Sequence, residues 1–310
     1  MKIVVLGAGA IGGYFGGRLA QAGADVSFLV RARRQAQLRE RGLVVRSPHG
    51  DFALPVQLLL REDIREPADL LLLACKAYDL DAAIETIAPA MGERTTLVPL
   101  LNGLAHIDRL QAAFGPARVA GGSCGIPATL SPDGEVLQLG PLHRIVFGPL
   151  AGSAEGTGAK LEALLGYFRR TPVNAEIDAQ MMRALWEKFA GLATLAAMTC
   201  LMRGTVGDIL STDEGAALFA QTFSACQAAA RAAGFEPREA ALAPFRAMMT
   251  DRESQLTASM ARDLDAGGAT EGAHVVGDML RRVQAAGIEP GALRAAWCHL
   301  QVAERRRTAV

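Results

Sequence analysis

The segment Met1–Arg34 constrains the fold of this chain more than any other stretch. An apolar run, Ile3–Leu6, precedes a helix-forming stretch, Ala10–Ala22, and a second apolar run, Val26–Val30, closes the segment. Three glycines follow the first run in the pattern Gly-x-Gly-x-x-Gly: Gly7, Gly9 and Gly12. A strand, a tight turn, a helix and a second strand within about 30 residues make a βαβ unit. We therefore expect a strand–turn–helix–strand start of an α/β domain.

Each glycine of this fingerprint has a physical role at a dinucleotide site. Gly7 allows the sharp turn out of the strand, Gly9 lets the backbone approach a pyrophosphate, and Gly12 lets the helix pack close to the sheet. The free N–H groups and the dipole at the helix start hold the phosphates. The alternative is a purely structural turn. We predict cofactor contacts from the turn and the helix start, at Gly7, Gly9, Ala10, Ile11 and Gly12.

The end of the second predicted strand indicates which dinucleotide binds. An NAD site places an acid there to bind the ribose 2′-hydroxyl, but residues 28–34 contain none, and Asp25 comes before the strand. Arg31 is the candidate for binding a 2′-phosphate, assisted by Arg33 or Arg34, because a guanidinium matches phosphate geometry and stays charged. The alternative is a solvated basic helix start. The sequence favours NADP.

Composition narrows the class of protein. The 310 residues suffice for two domains, and 32 basic against 32 acidic residues give no sign of a nucleic-acid or membrane partner. The five cysteines form no CxxC pair, which is typical of a reducing cytosol, and the five histidines lack metal-ligand spacing. Met1 enters the first strand directly, and the uncharged run Phe189–Met202 is too short to span a bilayer. We expect a cytoplasmic protein without a metal.

Two further predicted strands each end at a polar side chain. The apolar run Ala68–Cys75 is typical of a parallel strand covered on both faces, and Lys76 follows it directly. The strand Thr95–Leu100 leads to Asn102 in the same way. Ligands of open α/β sheets bind at the carboxyl ends of strands, so both side chains are candidates for the site. The alternatives are a surface lysine and a turn-forming asparagine.

The chain changes character near residues 171–178. Before this point we expect a further strand at Arg118–Gly122 and a hairpin over Glu135–Phe147. After it, helical periodicity predicts helices at Asp178–Leu201, Asp213–Ala233, Ala240–Leu264, Thr270–Ala286 and Gly291–Arg307. The prediction is an N-terminal Rossmann-type doubly wound sheet in residues 1–174, followed by an all-helical substrate and dimerisation domain in residues 175–310.

At this point the residues resemble a known family. The glycine fingerprint is followed in order by Cys75-Lys76-Ala77, Leu101-Asn102-Gly103, Trp186-Glu187-Lys188, and Ser259-Met260 before Thr270-Glu271. This order, over nearly the whole chain, resembles ketopantoate reductase (2-dehydropantoate 2-reductase). The resemblance implies NADPH-dependent reduction of a 2-keto acid to a 2-hydroxy acid.

The resemblance also implies residue roles. Lys188 is the proton donor, Glu271 is its partner and a substrate contact, and Ser259 touches the substrate carboxylate. Asn102 and Lys76 line the cofactor and catalytic site. Chemistry supports the lysine, because an ammonium stabilises the negative charge that grows on a carbonyl oxygen and then donates the proton.

Each of these roles has a structural alternative. Lys188 could be a lysine that reaches solvent from the helix edge. Glu271 follows Thr270, a good N-cap, and an acid in the first helical turn suits the helix dipole in any case. Ser259, in the middle of a predicted helix, could serve only packing. Glu187 is a poor partner for Lys188, because adjacent helix residues do not face each other.

One departure from the family concerns the substrate. The family typically places asparagines four and eight residues after the catalytic lysine, where this chain has Leu192 and Ala196. Amide donors on that face bind the substrate, so losing them changes the pocket and the ligand together. We expect cofactor and reaction type to survive. Ketopantoate is the first candidate substrate, and a bulkier or more apolar 2-keto acid is the second.

Two other functions compete with this hypothesis. A 3-hydroxyacid dehydrogenase shares a Rossmann domain, a helical domain and an active-site lysine, but the placement of Lys76, Asn102 and Glu271 favours the reductase. An NADPH-binding redox sensor without turnover would fit the lost asparagines, whereas the retained Lys188 and Glu271 argue against it. We also expect the substrate to lie between the two domains, and the apolar helical domain to form a homodimer.

Overall fold

The computed structural model describes residues 1–309, which divide into two compact units. The first comprises Met1–Leu101 and His106–Met181, and the second comprises Asn102–Ala105 and Met182–Val310. The chain thus contributes one short turn, Asn102–Ala105, to the helical unit before it returns to the first unit. No helix among the described residues has the length and apolar character needed to cross a membrane.

The first unit carries all twelve strands that the structure describes and five helices. The strands are β1 (Lys2–Leu6), β2 (Asp25–Leu29), β3 (Leu43–Arg46), β4 (Phe52–Leu54), β5 (Gln57–Leu59), β6 (Leu70–Leu73), β7 (Thr96–Pro99), β8 (Gly121–Gly125), β9 (Ala128–Leu130), β10 (Val136–Gln138), β11 (Arg144–Gly148) and β12 (Asn174–Ile177). The helices are α1 (Ala10–Gln21), α2 (Ala32–Arg41), α3 (Leu80–Ile87), α4 (Ala105–Phe114) and α5 (Thr157–Phe168).

The main sheet is parallel and has the strand order β5-β2-β1-β6-β7. Its central register aligns Ile3 of β1 with Val26 of β2 and with Leu70 of β6. All four leucines of β6 are fully buried, as expected for a strand covered on both faces. Together with the helices that follow residue 181, this sheet confirms the predicted fold class.

The predicted hairpin over Glu135–Phe147 is wrong, because its two strands join different sheets. β10 pairs with β3 and β9 in a four-stranded sheet, whereas β11 pairs with β8 and β12 in a three-stranded sheet. In the connection, the Gln138 amide donates to the carbonyl oxygens of Gly140 and Leu142 at 2.7 and 3.2 Å. These bonds hold the connection after β10, and β11 then pairs in the other sheet.

A histidine pair lies where this connection meets α1. The rings of His49 and His143 stack with centroids 3.6 Å apart, and the Tyr14 hydroxyl lies 2.7 Å from His143 Nδ1. Burial, and to a smaller extent the charges of His49 and Arg18, lower the pKa of His143 to about 4. His143 is therefore neutral in the folded chain at neutral pH.

The second unit is helical. Its helices are α6 (Met181–Met202), α7 (Val206–Leu210), α8 (Gly215–Ala232), α9 (Glu239–Met248), α10 (Ser259–Asp265), α11 (Asp278–Ala285) and α12 (Leu293–Thr308). A π-helical turn, Ala273–Gly277, leads directly into α11. The long α6 begins at Met181 rather than at Asp178, whose carboxylate instead accepts a bond from the Gln180 amide in a turn.

The single helix predicted over Ala240–Leu264 is divided in two. Between α9 and α10 the chain bonds to the start of α7, where the Gly207 amide donates to the Ser254 carbonyl and the Val206 amide to that of Leu256. A side chain at Gly207 would lie 2.6 Å from the Arg252 carbonyl oxygen, so glycine permits this close approach. The tertiary bonds replace the helical ones that the periodicity predicts.

Candidate active site

The glycine turn of the first unit has the geometry of a phosphate cradle. Gly7 adopts φ +89°, and its amide donates to the Leu29 carbonyl at 2.9 Å. Gly9 precedes α1, and a Cβ built there meets no atom within 4 Å, so its backbone is open to a ligand. A Cβ at Gly12 would lie 2.1 Å from the Gly7 carbonyl oxygen, so only glycine allows the helix to start this close to the strand. The turn, with Ala10 and Ile11 in the first turn of α1, fits a dinucleotide pyrophosphate.

Arg34 supports this turn from α2. Its Nε and Nη2 atoms donate to the Ala8 carbonyl oxygen at 3.1 and 2.9 Å, and its Nη1 donates to Gln37. Partial burial lowers the pKa of Arg34 below its ordinary value. The guanidinium is thus engaged in holding the backbone between Gly7 and Gly9.

Arg31 lies at the point where the sequence places the 2′-phosphate contact. It caps α2 just after β2, and its side chain is 82 % exposed. Arg31 Nη2 lies 3.5 Å from Asp79 Oδ1. Asp79 ends the short 3₁₀ turn Ala77–Asp79, and Lys76 caps the start of that turn after β6. Arg33 is exposed on α2. The first unit therefore carries Arg31, Lys76 and the glycine turn.

Lys188 and Asn102 meet in the second unit although 86 residues separate them. Lys188 Nζ on α6 donates to Asn102 Oδ1 at 3.2 Å, and the lysine is half-buried. An amide oxygen in this position directs the ammonium without neutralising its charge. The sequence-predicted lysine and asparagine are thus brought together.

The Asn102–Gly103 turn packs between α6 and the π-helical turn. Gly103 adopts φ +82°, and a Cβ there would lie 2.7 Å from the His274 carbonyl oxygen and 3.8 Å from the Phe189 ring. Glu271 lies just before the π-helical turn, is 8 % exposed, and accepts the His274 and Val275 amides on its backbone carbonyl. A π-helical turn is rare and is frequent at functional sites.

Glu187, adjacent to Lys188, faces Arg238 at the start of α9. Its carboxylate accepts bonds from Arg238 at the backbone amide, Nε and Nη2, at 2.7, 2.8 and 2.6 Å. The Glu187 side chain is 5 % exposed and that of Arg238 is 38 % exposed. This bidentate pair ties the start of α9 to α6, and it leaves Lys188 to point toward Asn102.

Three further predicted substrate contacts differ in accessibility. Leu192, one turn after Lys188, is half-buried, whereas Ala196, two turns after it, is 1 % exposed and covered by protein. Of the two, Leu192 offers apolar surface. Ser259 is exposed as the first residue of α10, not in the middle of a helix as we expected.

Four contacts at these positions were missed by the sequence analysis: Arg31 with Asp79, Arg34 with Ala8, Glu187 with Arg238, and Gly103 with His274. Only the glycine after Asn102 left a trace in the sequence, as a residue able to adopt positive φ. Among residues 1–309, no three or more His, Cys, Asp or Glu side chains are arranged to hold a metal ion.

Comparison with known families and proteins shows which family the chain resembles. The profile of the family described as Ketopantoate reductase PanE/ApbA matches residues 3–152, and that of its C-terminal domain matches residues 180–304. The chain is 32 % identical over 309 residues to a Bacillus subtilis (strain 168) protein named "Uncharacterized oxidoreductase YkpB", covering 99 % of this chain and 100 % of the relative.

Solved structures agree with the fold. 2-Dehydropantoate 2-reductase from Geobacter metallireducens GS-15 is 28 % identical, with a TM-score of 0.86 and coverage of 98 % of this chain and 100 % of that chain. D-Mandelate dehydrogenase, in a complex with NADH and anilino(oxo)acetate, has a TM-score of 0.86 at 21 % identity, with coverage of 99 % and 100 %. At that identity the second likeness shows the fold alone.

Proposed function

This chain belongs to the ketopantoate reductase PanE/ApbA family of oxidoreductases, and we propose that it reduces a 2-keto acid to the 2-hydroxy acid with NADPH. Ketopantoate (2-dehydropantoate) is the first candidate substrate. The observation that carries the proposal is the hydrogen bond from Lys188 Nζ to Asn102 Oδ1, which orients an ammonium on a helix of the substrate unit.

The first unit supplies the cofactor site. A bound nicotinamide dinucleotide supplies the hydride for carbonyl reduction. Its pyrophosphate fits the open backbone at Gly9 and the start of α1. Arg31, exposed at the end of β2 where no acid stands, supports binding of a 2′-phosphate, with Lys76 as a further contact. These features favour NADPH.

Lys188 acts as the proton donor in this proposal. Negative charge grows on the carbonyl oxygen as the ketone is reduced, and the ammonium stabilises this charge and donates a proton to the oxygen. Asn102 Oδ1 accepts a hydrogen bond from Lys188 Nζ, which orients the ammonium in this proposal. Glu271 is proposed as the acidic partner of the same site, with Ser259 as a contact of the substrate carboxylate.

A more apolar 2-keto acid is the second candidate substrate. Leu192 lies one turn after Lys188, where an amide would hydrogen-bond to a polar substrate. Leu192 is half-buried, so part of its side chain can contact the substrate. An apolar group left beside a substrate hydroxyl leaves that hydroxyl unpaired, which costs about 1–3 kcal/mol. D-Mandelate dehydrogenase, solved in a complex with anilino(oxo)acetate, shares this fold. Leu192, with Ala196 behind it, therefore favours a branched or aromatic 2-keto acid as the competitor.

The test is NADPH consumption by the pure protein with ketopantoate and with a panel of branched and aromatic 2-keto acids. Faster turnover of ketopantoate supports the first substrate, and turnover of another keto acid alone supports the second. NADPH binding without any turnover would replace the enzyme by the NADPH-binding sensor.

Lys188→Ala tests the proton donor. We expect kcat to fall at least about 100-fold, with the Kd for NADPH unchanged, because general-acid catalysis and charge stabilisation are lost together. Lys160→Ala, on α5 of the first unit, is the matched control and should keep full activity. Equal kcat in the Lys188 variant and the wild type would rule out this role. Homodimer formation and a cytoplasmic location stay predictions of the sequence.

A further inference from the structure

The ion pair between Arg31 and Asp79 joins the segments that follow β2 and β6. β1 lies between β2 and β6 in the main sheet. Arg31 follows the end of β2, and Asp79 ends the 3₁₀ turn after β6, so the two side chains come from the strands on either side of β1. Their charged atoms lie 3.5 Å apart, and the strand between β2 and β6, β1, leads into Gly7.

The carboxylate at this position has a chemical consequence for a ligand of Arg31. A guanidinium beside a carboxylate offers a phosphate dianion less net attraction than a guanidinium alone, and the carboxylate also repels the dianion. A ribose hydroxyl, in contrast, can donate a hydrogen bond to the same carboxylate. Asp79 is the carboxylate that pairs with Arg31, and Lys76 caps the start of the same 3₁₀ turn.

We propose that Asp79 determines cofactor specificity by limiting the preference for NADPH over NADH, so that the chain accepts both dinucleotides. Arg31 attracts the 2′-phosphate of NADPH, and Asp79 opposes that phosphate while it accepts a hydrogen bond from the 2′-hydroxyl of NADH. The acid that NAD sites carry at the end of the second strand is thus supplied from the turn after β6. The inference rests on the proposed cofactor site of the first unit.

The size of the effect follows from the exposure of the pair. Both side chains are accessible to water, at 82 % and 43 %, so the interaction is screened and modest. A unit charge a few ångströms from a phosphate dianion at such a surface changes the Kd about tenfold at low salt. Asp79 is therefore expected to reduce the preference for NADPH over NADH by about a factor of ten.

Direct binding tests the inference without turnover. Isothermal titration of the wild type and of Asp79→Asn with NADPH and with NADH, at low salt, gives four Kd values. We expect Asp79→Asn to lower the Kd for NADPH about tenfold and to leave the Kd for NADH unchanged or raised two- to threefold. The gain for NADPH should shrink in about 0.5 M salt, where the Debye length is about 4 Å.

Two further variants complete the design. Asp81→Asn removes the same charge two residues later, where the carboxylate pairs with Arg109 instead, and should change neither Kd more than twofold. Arg31→Ala should raise the Kd for NADPH. In that background Asp79→Asn should still lower this Kd, because the direct repulsion between the carboxylate and the phosphate is removed. Equal changes of both Kd values in Asp79→Asn, or no change, would overturn the inference while the cofactor site stands. If the wild type binds neither dinucleotide, the cofactor site itself fails and the inference with it.

Discussion

Replacing Gly103 by alanine probes how the Asn102 turn is held against the π-helical turn. The backbone of Gly103 is left-handed, with φ +82°, and a Cβ there would lie 2.7 Å from the His274 carbonyl oxygen. Real Cβ atoms do not approach backbone oxygens this closely, so the turn or the helix must shift. Because Asn102 precedes Gly103 directly, such a shift also moves the Oδ1 atom that accepts the Lys188 bond.

Two costs add in this variant. A non-glycine residue in the left-handed region costs about 1–2 kcal/mol. Relief of the overlap with a packed backbone costs about a further 1–3 kcal/mol. We therefore expect Gly103→Ala to reduce the free energy of unfolding by about 2–5 kcal/mol and, through the displaced Asn102, to lower kcat about tenfold or more.

Gly234→Ala separates the two costs. Gly234 follows α8 in the same helical unit with φ +85°, and a Cβ there meets no atom within 4 Å. This control should lose only the conformational part, about 1–2 kcal/mol, and keep its activity. Urea denaturation measures the stability of both variants. Steady-state kinetics measures kcat and KM with whichever 2-keto acid the wild type reduces. Equal losses of stability in the two variants, with equal kcat, would refute the docking of Gly103 on His274.

Two further predictions concern stability. Glu187→Gln should reduce the free energy of unfolding by about 3 kcal/mol in urea denaturation, because it replaces a buried carboxylate that accepts three hydrogen bonds from Arg238. Glu236→Gln, in the exposed pair with Arg231, should reduce it by less than about 1 kcal/mol. Equal losses in the two variants would show that the buried pair stabilises the fold no more than the exposed one. The pKa of His143 is lowered to about 4 by burial, His49 and Arg18, so between pH 6.5 and 4 the unfolded chain binds a proton that the folded chain does not, and stability falls as the pH falls. The wild type should lose about 1–2 kcal/mol between pH 7.5 and pH 5, and His143→Asn should lose less over the same interval; parallel curves would contradict this assignment.

Local patterns in the sequence determined the elements that carry the proposed cofactor site. The order of strand, glycine turn and helix depends on steric limits at single residues, such as the positive φ of Gly7 and the space required at Gly12. The buried strand β6 follows from an unbroken run of leucines. The acid-free end of β2 and the apolar Leu192 are also visible without a structure, because each is a matter of residue type at a known position in an element.

Tertiary structure decided which strands pair and which distant side chains come into contact. The separation of β10 from β11, and the division of the predicted helix before Ser259, follow from hydrogen bonds to distant segments that periodicity does not encode. The Lys188–Asn102 bond joins residues 86 positions apart, and the Arg31–Asp79 pair depends on the order of three parallel strands. The physical reason is that patterning reports which face of an element is buried, whereas the partner of a polar side chain is fixed only when distant elements pack together.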